Sequence, residues 1–349
     1  MKLAVMANCR WWNASVQGAV MQALAMQSLG HRVTLLVSPR GPAAEKARAA
    51  GVERVKAGNP WWFLAGTAAE RPDVVCAHRG GDQAAAAFMM PGTFLVRVRN
   101  DQRKASGGPG WGFVDRRTSL VVFPSRFMVE RGYHGNRTGP VAVVPFPVDT
   151  GRFVPSCGPK QPVVVSLGRL SPVKGHRTLI AAMAEMPTGW RAVIAGGEDQ
   201  QSRDELAAFA REKGVGDRVF FPGALEDVRP LLSLASIGVV TSLGSEMVSR
   251  AGLEMMSCGL PLLAAATNGL CETVRDGVTG LLHSPGNHRQ LASQMRYLAE
   301  NPAAGEYLGK EARQYVCRVH SLAAVGGSWE HILDAGRITR ERFTGKAPK

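Results

Sequence analysis

Two cations near the middle of the chain stand at a spacing that suits phosphate binding. Arg169 and Lys174 lie five residues apart in the segment SLGRLSPVKGH, which follows the apolar run of residues 162–167. Gly168 lets the backbone turn after this run, and a helical pattern begins just beyond the segment. A guanidinium holds phosphate oxygens at two points, an ammonium supplies a compact charge, and a helix N-terminus adds a partial positive charge. The pattern indicates a site for a diphosphate that gains charge as it leaves, with a solvated surface loop as the alternative.

Two carboxylates further along the chain are spaced for a long ligand. Glu246 and Glu254 stand eight residues apart in TSLGSEMVSRAGLE, directly after the apolar run of residues 237–240. In a continuous helix this spacing is roughly 12 Å, whereas a glycosidase pair needs carboxyl groups about 5–9.5 Å apart. The spacing fits two separate hydrogen-bonding tasks along a ligand such as a sugar nucleotide; otherwise both carboxylates lie on a helix surface. The backbone N–H groups expected to face the phosphates belong to Met247, Val248, Ser249 and Arg250.

Polar groups in the first half of the chain are candidates for binding an acceptor. His78 follows the apolar run DVVCA, so it is expected at a strand end, where a lone His is more often structural than functional. Arg97, Arg99 and Arg103 form a dense cationic cluster that suits a phosphorylated, anionic acceptor or, equally, a solvated loop. Asn13, in the segment CRWWNAS, is the remaining candidate on the acceptor side.

Aromatic residues and positive charge are concentrated in the same half. Residues 11–12 and 61–62 are tryptophan pairs that suit stacking on sugars or contact with a membrane interface, with core packing as the alternative. Residues 1–150 hold 19 Lys and Arg against 9 Asp and Glu, in a chain whose formal net charge is +14. This excess favours an anionic partner, such as nucleic acid, a membrane surface or a phosphorylated acceptor; plain solubility is the alternative.

Composition bounds the class of protein. The chain has 349 residues, of which 45% are hydrophobic and 20% charged, so we predict about two globular domains and no disordered or fibrous architecture. No stretch reaches the ~18 uninterrupted apolar residues of a membrane span, and the N-terminus lacks the pattern of a signal peptide. The six scattered cysteines form no CxxC pair, which predicts free thiols in a cytoplasmic protein and no zinc site.

Several nucleotide-binding and catalytic motifs do not occur in the sequence. No G-x-G-x-x-G follows the first apolar run, which disfavours an NAD enzyme, and no G-x-x-x-x-G-K-[ST] occurs, which excludes a P-loop ATPase. No G-x-S-x-G elbow is present, which disfavours an α/β-hydrolase. The sequence has no Asp-x-Asp, a common short signature for holding a metal on a sugar nucleotide, so no metal is expected.

Alternating strand and helix patterns must position these residues. The alternation continues on both sides of the Pro- and Gly-rich segment of residues 146–161, which argues for parallel strands joined by helices. We predict an N-terminal acceptor-binding lobe over residues 1–150 and a C-terminal donor-binding lobe over residues 151–325. A final helix and tail over residues 326–349 are expected to pack back toward the N-terminal lobe. Both lobes are expected to be doubly wound α/β units facing across a cleft, with Ser15 capping the first helix.

Four segments carry a family resemblance. In order over roughly 120 residues, SLGRLSPVKGH, AGGEDQ, FFPGALEDVRPLLSLASIGVVTS and SEMVSRAGLEMMSCGLPLLAAATNGLCETVRDGVTGLL resemble retaining glycosyltransferase family 4 (glycosyl transferases group 1). The resemblance implies the GT-B fold of two Rossmann-like lobes and sugar transfer with retention and without a metal. It implies that Arg169 and Lys174 bind the donor diphosphate, that Glu246 binds the transferred sugar and that Glu254 binds the ribose. Arg169, Lys174 and Glu246 are thus the predicted catalytic residues, and Gly168 and residues 247–250 complete the predicted donor site.

The sequence departs from the family pattern in four places: the loop after Glu246, the segment CRWWNAS where relatives have a Gly-Gly loop, Phe146-Pro147 where they have Asn-Gly, and the run near position 100. Family members commonly have a glycine-rich loop after the first Glu, where this chain has Met-Val-Ser-Arg, so Ser249 and Arg250 are expected to add donor contacts. Many relatives have a His near position 100, where this chain reads RVRNDQR, so the family does not assign the acceptor-side groups.

Together these observations predict a retaining, metal-independent glycosyltransferase. The expected donor is a nucleotide-diphosphate sugar, with UDP slightly favoured, and no cofactor is expected. The expected acceptor is an anionic or lipid-linked cell-envelope saccharide such as lipopolysaccharide core, reached from the cytoplasm at the inner face of the membrane. The alternatives are a sugar-nucleotide epimerase or phosphorylase on the same fold, or a basic nucleic-acid-binding protein, for which no recognition motif is present.

Overall fold

The computed structural model of the chain divides into two compact units. It describes residues 1–59, 61, 72–100, 110–134, 139–244 and 246–344, with side chains described up to residue 334. The first unit contains Met1–Pro147 and the chain from Ser321 onward, and the second contains Val148–His320. The boundary between the units therefore falls inside the Pro- and Gly-rich segment of residues 146–161.

The first unit is built on a seven-stranded parallel sheet with the strand order β3-β2-β1-β4-β5-β6-β7. Its strands are β1 Lys2–Ala7, β2 Arg32–Val37, β3 Val55–Ala57, β4 Val74–Ala77, β5 Phe94–Val98, β6 Leu120–Phe123 and β7 Val141–Val143. The described helices of this unit span Ala14–Gln27, Ala43–Ala49, Gly80–Met89, Trp111–Arg117, Arg126–Glu130 and Leu322–Thr344.

Helices cover both faces of this sheet. On the central strand β1, Leu3 and Val5 pack in one apolar cluster, and Ala4 and Met6 pack in another on the opposite face. The first cluster includes side chains of the first and last helices, and the second includes side chains of the helices that follow β4 and β5. A strand covered on both faces needs apolar residues at every position, which explains why β1 reads as a continuous apolar run.

The second unit repeats this design on a six-stranded parallel sheet with the order β10-β9-β8-β11-β12-β13. Its strands are β8 Val163–Leu167, β9 Arg191–Ala195, β10 Val219–Gly223, β11 Ile237–Val240, β12 Leu262–Ala265 and β13 Leu281–His283. A 3₁₀ turn covers Pro172–Lys174, and the helices span His176–Met183, Arg203–Glu212, Arg229–Leu234, Arg250–Ser257, Leu270–Thr273, His288–Glu300 and Pro302–Val319. The prediction of two doubly wound parallel-sheet units is confirmed.

The last helix, Leu322–Thr344, belongs to the first unit and packs against the helix Ala14–Gln27. A Cβ on Gly326 would lie 3.0 Å from the carbonyl oxygen of Ala25, so glycine allows the two helices to approach closely. Trp329 is buried in the same contact. The C-terminal segment of the first unit thus begins at Ser321, five residues before residue 326, where the sequence predicts that this segment begins.

The cap of the first helix differs from the prediction. Asn13, rather than Ser15, begins the helix Ala14–Gln27: its Oδ1 accepts hydrogen bonds from the backbone N–H groups of Ser15 and Val16 at 3.1 and 3.2 Å. Asparagine and serine are both good caps, and the sequence pattern alone does not fix which of two nearby cap residues is used. Within the described residues, no helix combines the length and apolarity needed to cross a membrane.

Candidate active site

The predicted donor residues meet where the strand order of the second sheet reverses. β8 lies between β9 and β11, so the loops after β8 and β11 diverge around a crevice at the carboxyl edge of the sheet. The loop of residues 168–175 follows β8 and carries Arg169 and Lys174. The loop that follows β11 carries Glu246 and leads into the helix Arg250–Ser257, which contains Glu254. The fold therefore places both sequence motifs on neighbouring strands.

A buried ion pair joins these two loops. The Lys174 ammonium donates a hydrogen bond to Glu246 Oε1, which also accepts one from the Ser242 hydroxyl at 2.7 Å. The side chain of Glu246 is 8% exposed and that of Lys174 is 24% exposed. Because a buried carboxylate needs partners that compensate its charge, Lys174 and Ser242 together hold Glu246 in the crevice.

Backbone contacts fix the spacing of the same two loops. The Leu243 N–H donates to the Val173 carbonyl at 2.8 Å, and the Thr241 hydroxyl donates to the Lys174 carbonyl at 2.9 Å. Gly175 has a φ of +67°, and a Cβ there would lie 2.1 Å from the Thr241 carbonyl oxygen. Only glycine adopts this backbone conformation at so close an approach, so Gly175 sets the distance between Lys174 and the β11 loop.

Arg169 is oriented toward the loop after β9. Its Nη1 donates to Asp199 Oδ2 at 2.5 Å, with the guanidinium side chain 67% exposed. Its carbonyl accepts a hydrogen bond from Nε2 of His176 at 3.0 Å, and burial lowers the pKa of His176, which keeps this imidazole neutral. An ion pair as exposed as Arg169–Asp199 contributes little, so a phosphate can compete for the guanidinium.

A helix N-terminus and a further cation follow Glu246. Ser249 caps the helix Arg250–Ser257 by accepting the Gly252 N–H on its hydroxyl at 3.1 Å. Burial raises the pKa of Glu254, and the positive charges of Arg250 and Arg152 oppose this rise. The charge of Arg250 interacts with Glu246 as well as with Glu254, so Arg250 lies within electrostatic reach of both carboxylates.

The loop after β12 braces the segment that carries Glu246. Asn268, at a φ of 48°, donates its side-chain amide to the Gly244 carbonyl, and the Gly269 N–H donates to the Glu246 carbonyl at 3.0 Å. A Cβ on Gly269 would lie 1.9 Å from the carbonyl oxygen of Met247, so only glycine fits there. The dipeptide Asn-Gly after an apolar run is the signal that predicts such a turn.

Sequence reasoning missed four side chains that hold the site together: Ser242, Asp199, His176 and Asn268. The first three lie in or beside the predicted motifs, but nothing in their spacing shows which group each one contacts. Asp199 and Asn268 contact loops that follow other strands, so their contacts depend on strand order. Ser242 and His176 contact residues on the far side of their own turns, so their contacts depend on how each loop is folded.

A polar cluster lies at the matching position of the first sheet, where the strand order reverses between β1 and β4. His78, directly after β4, is buried, and its Nε2 donates to Gln22 Oε1 at 2.7 Å. Burial and then the charge of Arg97 lower the pKa of His78 to about 3, so the neutral ring accepts at Nδ1 from the Asn100 amide at 3.4 Å. All three polar side chains of this cluster line a cavity of about 20 Å³, which has room for one water molecule.

The remaining acceptor-side predictions fall in different surroundings. Arg97 and Arg99 are buried, and each donates hydrogen bonds to backbone carbonyls, at 2.7 and 3.0 Å for Arg97 and 2.7 Å for Arg99. The alternative of a solvated surface loop is therefore wrong for these two, because both side chains are buried and carbonyl groups engage their guanidinium donors. Asn13 is engaged as a helix cap, and Arg103 lies outside the described residues. Contact of these residues with an acceptor stays a prediction.

Two doubly wound parallel-sheet units in one chain define the GT-B class of fold, and solved structures share it. The structure of Alr3699/HepE from Anabaena in complex with UDP has a TM-score of 0.82 at 20% sequence identity and covers 96% of this chain and 100% of that chain. The apo form of the lipopolysaccharide outer core galactosyltransferase WaaB has a TM-score of 0.69 at 15% identity, with coverage of 96% and 100%. The predicted fold class is confirmed.

The second unit carries the family match. Residues 149–315 match the model of the glycosyl transferases group 1 family. The D-inositol 3-phosphate glycosyltransferase of Mycobacterium marinum is 32% identical over 194 residues, which are 54% of this chain and 40% of that protein. The enzyme of the same name from Mycobacterium tuberculosis is 30% identical over 220 residues, 61% of this chain and 41% of that protein. The chain spans about 40% of the length of the curated relatives that it matches.

Proposed function

We propose that this protein is a retaining, metal-independent glycosyltransferase that moves a sugar from a nucleotide-diphosphate donor to a hydroxyl group of an acceptor. One observation carries the proposal: Lys174 and Glu246 meet across the point of strand-order reversal, beside the N-terminus of the helix that contains Glu254. This arrangement offers cations for a diphosphate and carboxylates for hydroxyl groups. The relatives named as glycosyltransferases, and the UDP and UDP-glucose complexes of Alr3699/HepE, support a sugar nucleotide as the ligand.

Departure of the diphosphate is the costly step. The bond between the sugar C1 and the phosphate oxygen breaks, and negative charge builds up on the diphosphate. We infer that Lys174 then exchanges Glu246 for a phosphate oxygen and that Arg169 exchanges Asp199 for another. A preorganised donor of this kind is worth about 2.7–4 kcal/mol to the transition state. Once Lys174 leaves, Glu246 is held by Ser242 and accepts hydrogen bonds from the sugar hydroxyls.

The new bond forms on the face of the sugar that the phosphate leaves. The acceptor oxygen bonds to C1, and its proton passes to a phosphate oxygen of the leaving group, so no protein base is required. Each carboxylate described in this site already has a cation, since Glu246 pairs with Lys174, Asp199 pairs with Arg169, and Glu254 interacts electrostatically with Arg250. We therefore assign none of them as a covalent nucleophile, and the cations of the site supply the charge that a metal ion would otherwise provide.

The proposed substrates follow from the charge of the chain and from its relatives. UDP is the proposed nucleotide, since UDP is bound in the Alr3699/HepE structure. The proposed acceptor is an anionic or lipid-linked saccharide of the cell envelope, such as lipopolysaccharide core, at the inner face of the membrane. The excess of Lys and Arg in residues 1–150 and the fold likeness to WaaB support this acceptor.

A ligand panel tests the donor site. We expect UDP to raise the melting temperature of the wild-type chain more than GDP or ADP, and to do so in the presence of EDTA, because a ligand that binds only the folded state stabilises it. The Lys174→Met variant should lose most of this shift. Equal and negligible shifts for all three nucleotides would contradict the proposal.

The reaction itself is tested with a UDP-sugar panel and the anomeric signals of the product by NMR. Release of UDP that depends on an added saccharide acceptor, with the donor's anomeric configuration kept in the product, is the expected result. An epimerised donor or a sugar phosphate formed without an acceptor would instead establish the epimerase or phosphorylase reaction. Inverted configuration in the product would overturn the proposed retention.

A further inference from the structure

Three aromatic side chains form an exposed cluster on the first unit, which we call the aromatic face, and the exposed Met89 follows Phe88 in the chain. Trp61, Phe88, Met89 and Phe113 are 46%, 54%, 37% and 38% exposed. The rings of Phe88 and Phe113 stack with their centroids 4.8 Å apart, and the Trp61 ring lies 6.5 Å from that of Phe88. Burying these rings in the core would be the ordinary outcome of folding, so a contiguous exposed cluster requires an explanation.

Two packed helices hold the aromatic face. Phe88 and Met89 end the helix Gly80–Met89, and Phe113 lies in the helix Trp111–Arg117 that packs against it. The rings of Phe88 and Phe113 therefore stand on regular secondary structure, which fixes their positions relative to each other.

Positive charge lies beside the rings. Arg116 is exposed one turn after Phe113, and Arg117 is half-buried with its guanidinium donating to the Met90 carbonyl at 3.3 Å. The acidic residues of the two helices are Asp82, which is buried, and Asp115, which is half-buried. Arg116 is thus the one fully exposed charge on these two helices, and it is positive, within a half of the chain that has 19 Lys and Arg against 9 Asp and Glu.

We propose that the aromatic face docks the first unit onto an anionic membrane surface. Aromatic rings favour the boundary between headgroups and acyl chains, and neighbouring cations add attraction to anionic lipids. The face supplies both features, with rings that reach into the boundary and Arg116 at the level of the headgroups. This inference deepens the proposed function, since it gives the enzyme a surface from which it reaches a membrane-bound acceptor.

A second copy of the chain fits the aromatic face less well. Aromatic side chains offer about 150–250 Å² each, so three that are roughly half exposed present about 300 Å². A stable protein interface needs about 800 Å² per partner. A symmetric dimer through this face would also bring the two Arg116 side chains of the pair toward each other, which like charge disfavours.

Sedimentation of the full chain with lipid vesicles tests the proposal. We expect binding to phosphatidylcholine vesicles that contain 30% phosphatidylglycerol, and weak binding to pure phosphatidylcholine. The double variant Phe88→Ser/Phe113→Ser should lower the partition coefficient at least about tenfold, because the inserted apolar area is lost. Arg116→Gln should lower it about three- to fivefold on anionic vesicles only, and 0.5 M NaCl should abolish this difference. The matched control is Tyr297→Ser/Tyr307→Ser, which removes two exposed rings from the second unit, 49% and 54% exposed, and should change binding less than twofold.

Circular dichroism and the UDP-induced thermal shift are recorded for every variant. A folded Phe88→Ser/Phe113→Ser variant that binds vesicles like the wild type overturns the proposal, and so does a control variant with the same loss. A wild-type dimer that this double variant dissociates overturns it in favour of a second copy of the chain. If the wild type shows no shift with UDP but binds vesicles through these rings, the proposed donor site fails and the docking surface stands.

Discussion

Replacing Lys174 by methionine removes a side chain that links the two loops of the candidate active site by charge. Lys174 donates to Glu246 across the crevice, and Glu246 is buried. If Lys174 moves to a phosphate when the donor binds, its loss removes one hydrogen bond between charged groups, worth about 1.5–3 kcal/mol. We therefore expect the Kd for UDP to rise about 10- to 150-fold.

The same variant should also be less stable without ligand. Glu246 keeps the Ser242 hydroxyl as a hydrogen-bond donor and the charge of Arg250 within electrostatic reach, but it loses its ion pair, and a buried charge with less compensation is costly. Since Lys174 is partly exposed, we expect a loss of about 1–3 kcal/mol, which lowers the melting temperature of a unit of this size by about 3–10 °C. Adding Glu246→Gln to Lys174→Met should recover most of this loss.

Isothermal titration with UDP and thermal unfolding measure both effects. The matched control is Lys213→Met, which removes an exposed cation of the same unit that pairs with Glu212 and should leave the Kd for UDP unchanged. The single variant Glu246→Gln frees the Lys174 ammonium, so this variant should bind UDP at least as tightly as the wild type does. Its rate of sugar transfer should fall, because the proposed partner of the sugar hydroxyls has lost its charge. A Kd that changes less than threefold in a folded Lys174→Met variant, or equally in Lys213→Met, would refute the phosphate role of Lys174.

Three further predictions concern other parts of the structure. Gly175→Ala should cost about 2–3 kcal/mol in the free energy of unfolding and weaken UDP binding, measured by denaturation and titration, because the added Cβ meets the Thr241 carbonyl oxygen. Glu254→Ala should lower the rate of sugar transfer at least about tenfold in a UDP-release assay, since the family resemblance places the ribose hydroxyls on this carboxylate. Folding lowers the pKa of His78 from 6.5 to about 3, so between these two pH values the unfolded chain binds a proton at His78 and the folded chain does not. The free energy of unfolding of the wild type should therefore fall as the pH drops from 6.5 toward 3, by up to about 4–5 kcal/mol. His78→Gln should flatten this part of the dependence of stability on pH, measured by denaturation at each pH.

Matched variants separate these effects from general damage. Gly214→Ala has a similar φ of +70° with open space around its Cβ, so it should cost only about 1 kcal/mol and leave UDP binding intact. Glu185→Ala removes an exposed carboxylate that pairs with Arg296 and should leave transfer unchanged. Equal losses in Gly175→Ala and Gly214→Ala, or a His78→Gln variant as acid-sensitive as the wild type, would show that the reasoning about these sites is wrong.

Local patterns in the sequence determined the elements and the type of fold. The apolar runs of β1 and β4 and the helical spacing of residues 250–257 predict elements with nearly the observed bounds, because each element buries residues at its own period. The alternation of strands and helices then leaves few arrangements other than parallel sheets covered on both faces. Two of the three shortest strands escape this reasoning: β3 and β13 have three residues each, too few to show a period, whereas β7, of the same length, is visible as an apolar run.

Strand order and its consequences were decided only by the tertiary structure. Lys174 and Glu246 are 72 residues apart, and they meet because β8 pairs with β11 in the middle of the sheet, a non-local pairing that no local pattern encodes. The sequence shows the charge of Arg97 and Arg99, but their burial depends on carbonyl groups supplied by other segments. The period of apolar residues shows which face of a helix or strand is covered. Which element covers that face depends on how strands distant in sequence pair. The pairing of β8 with β11 brings the cations and carboxylates of this chain into one crevice.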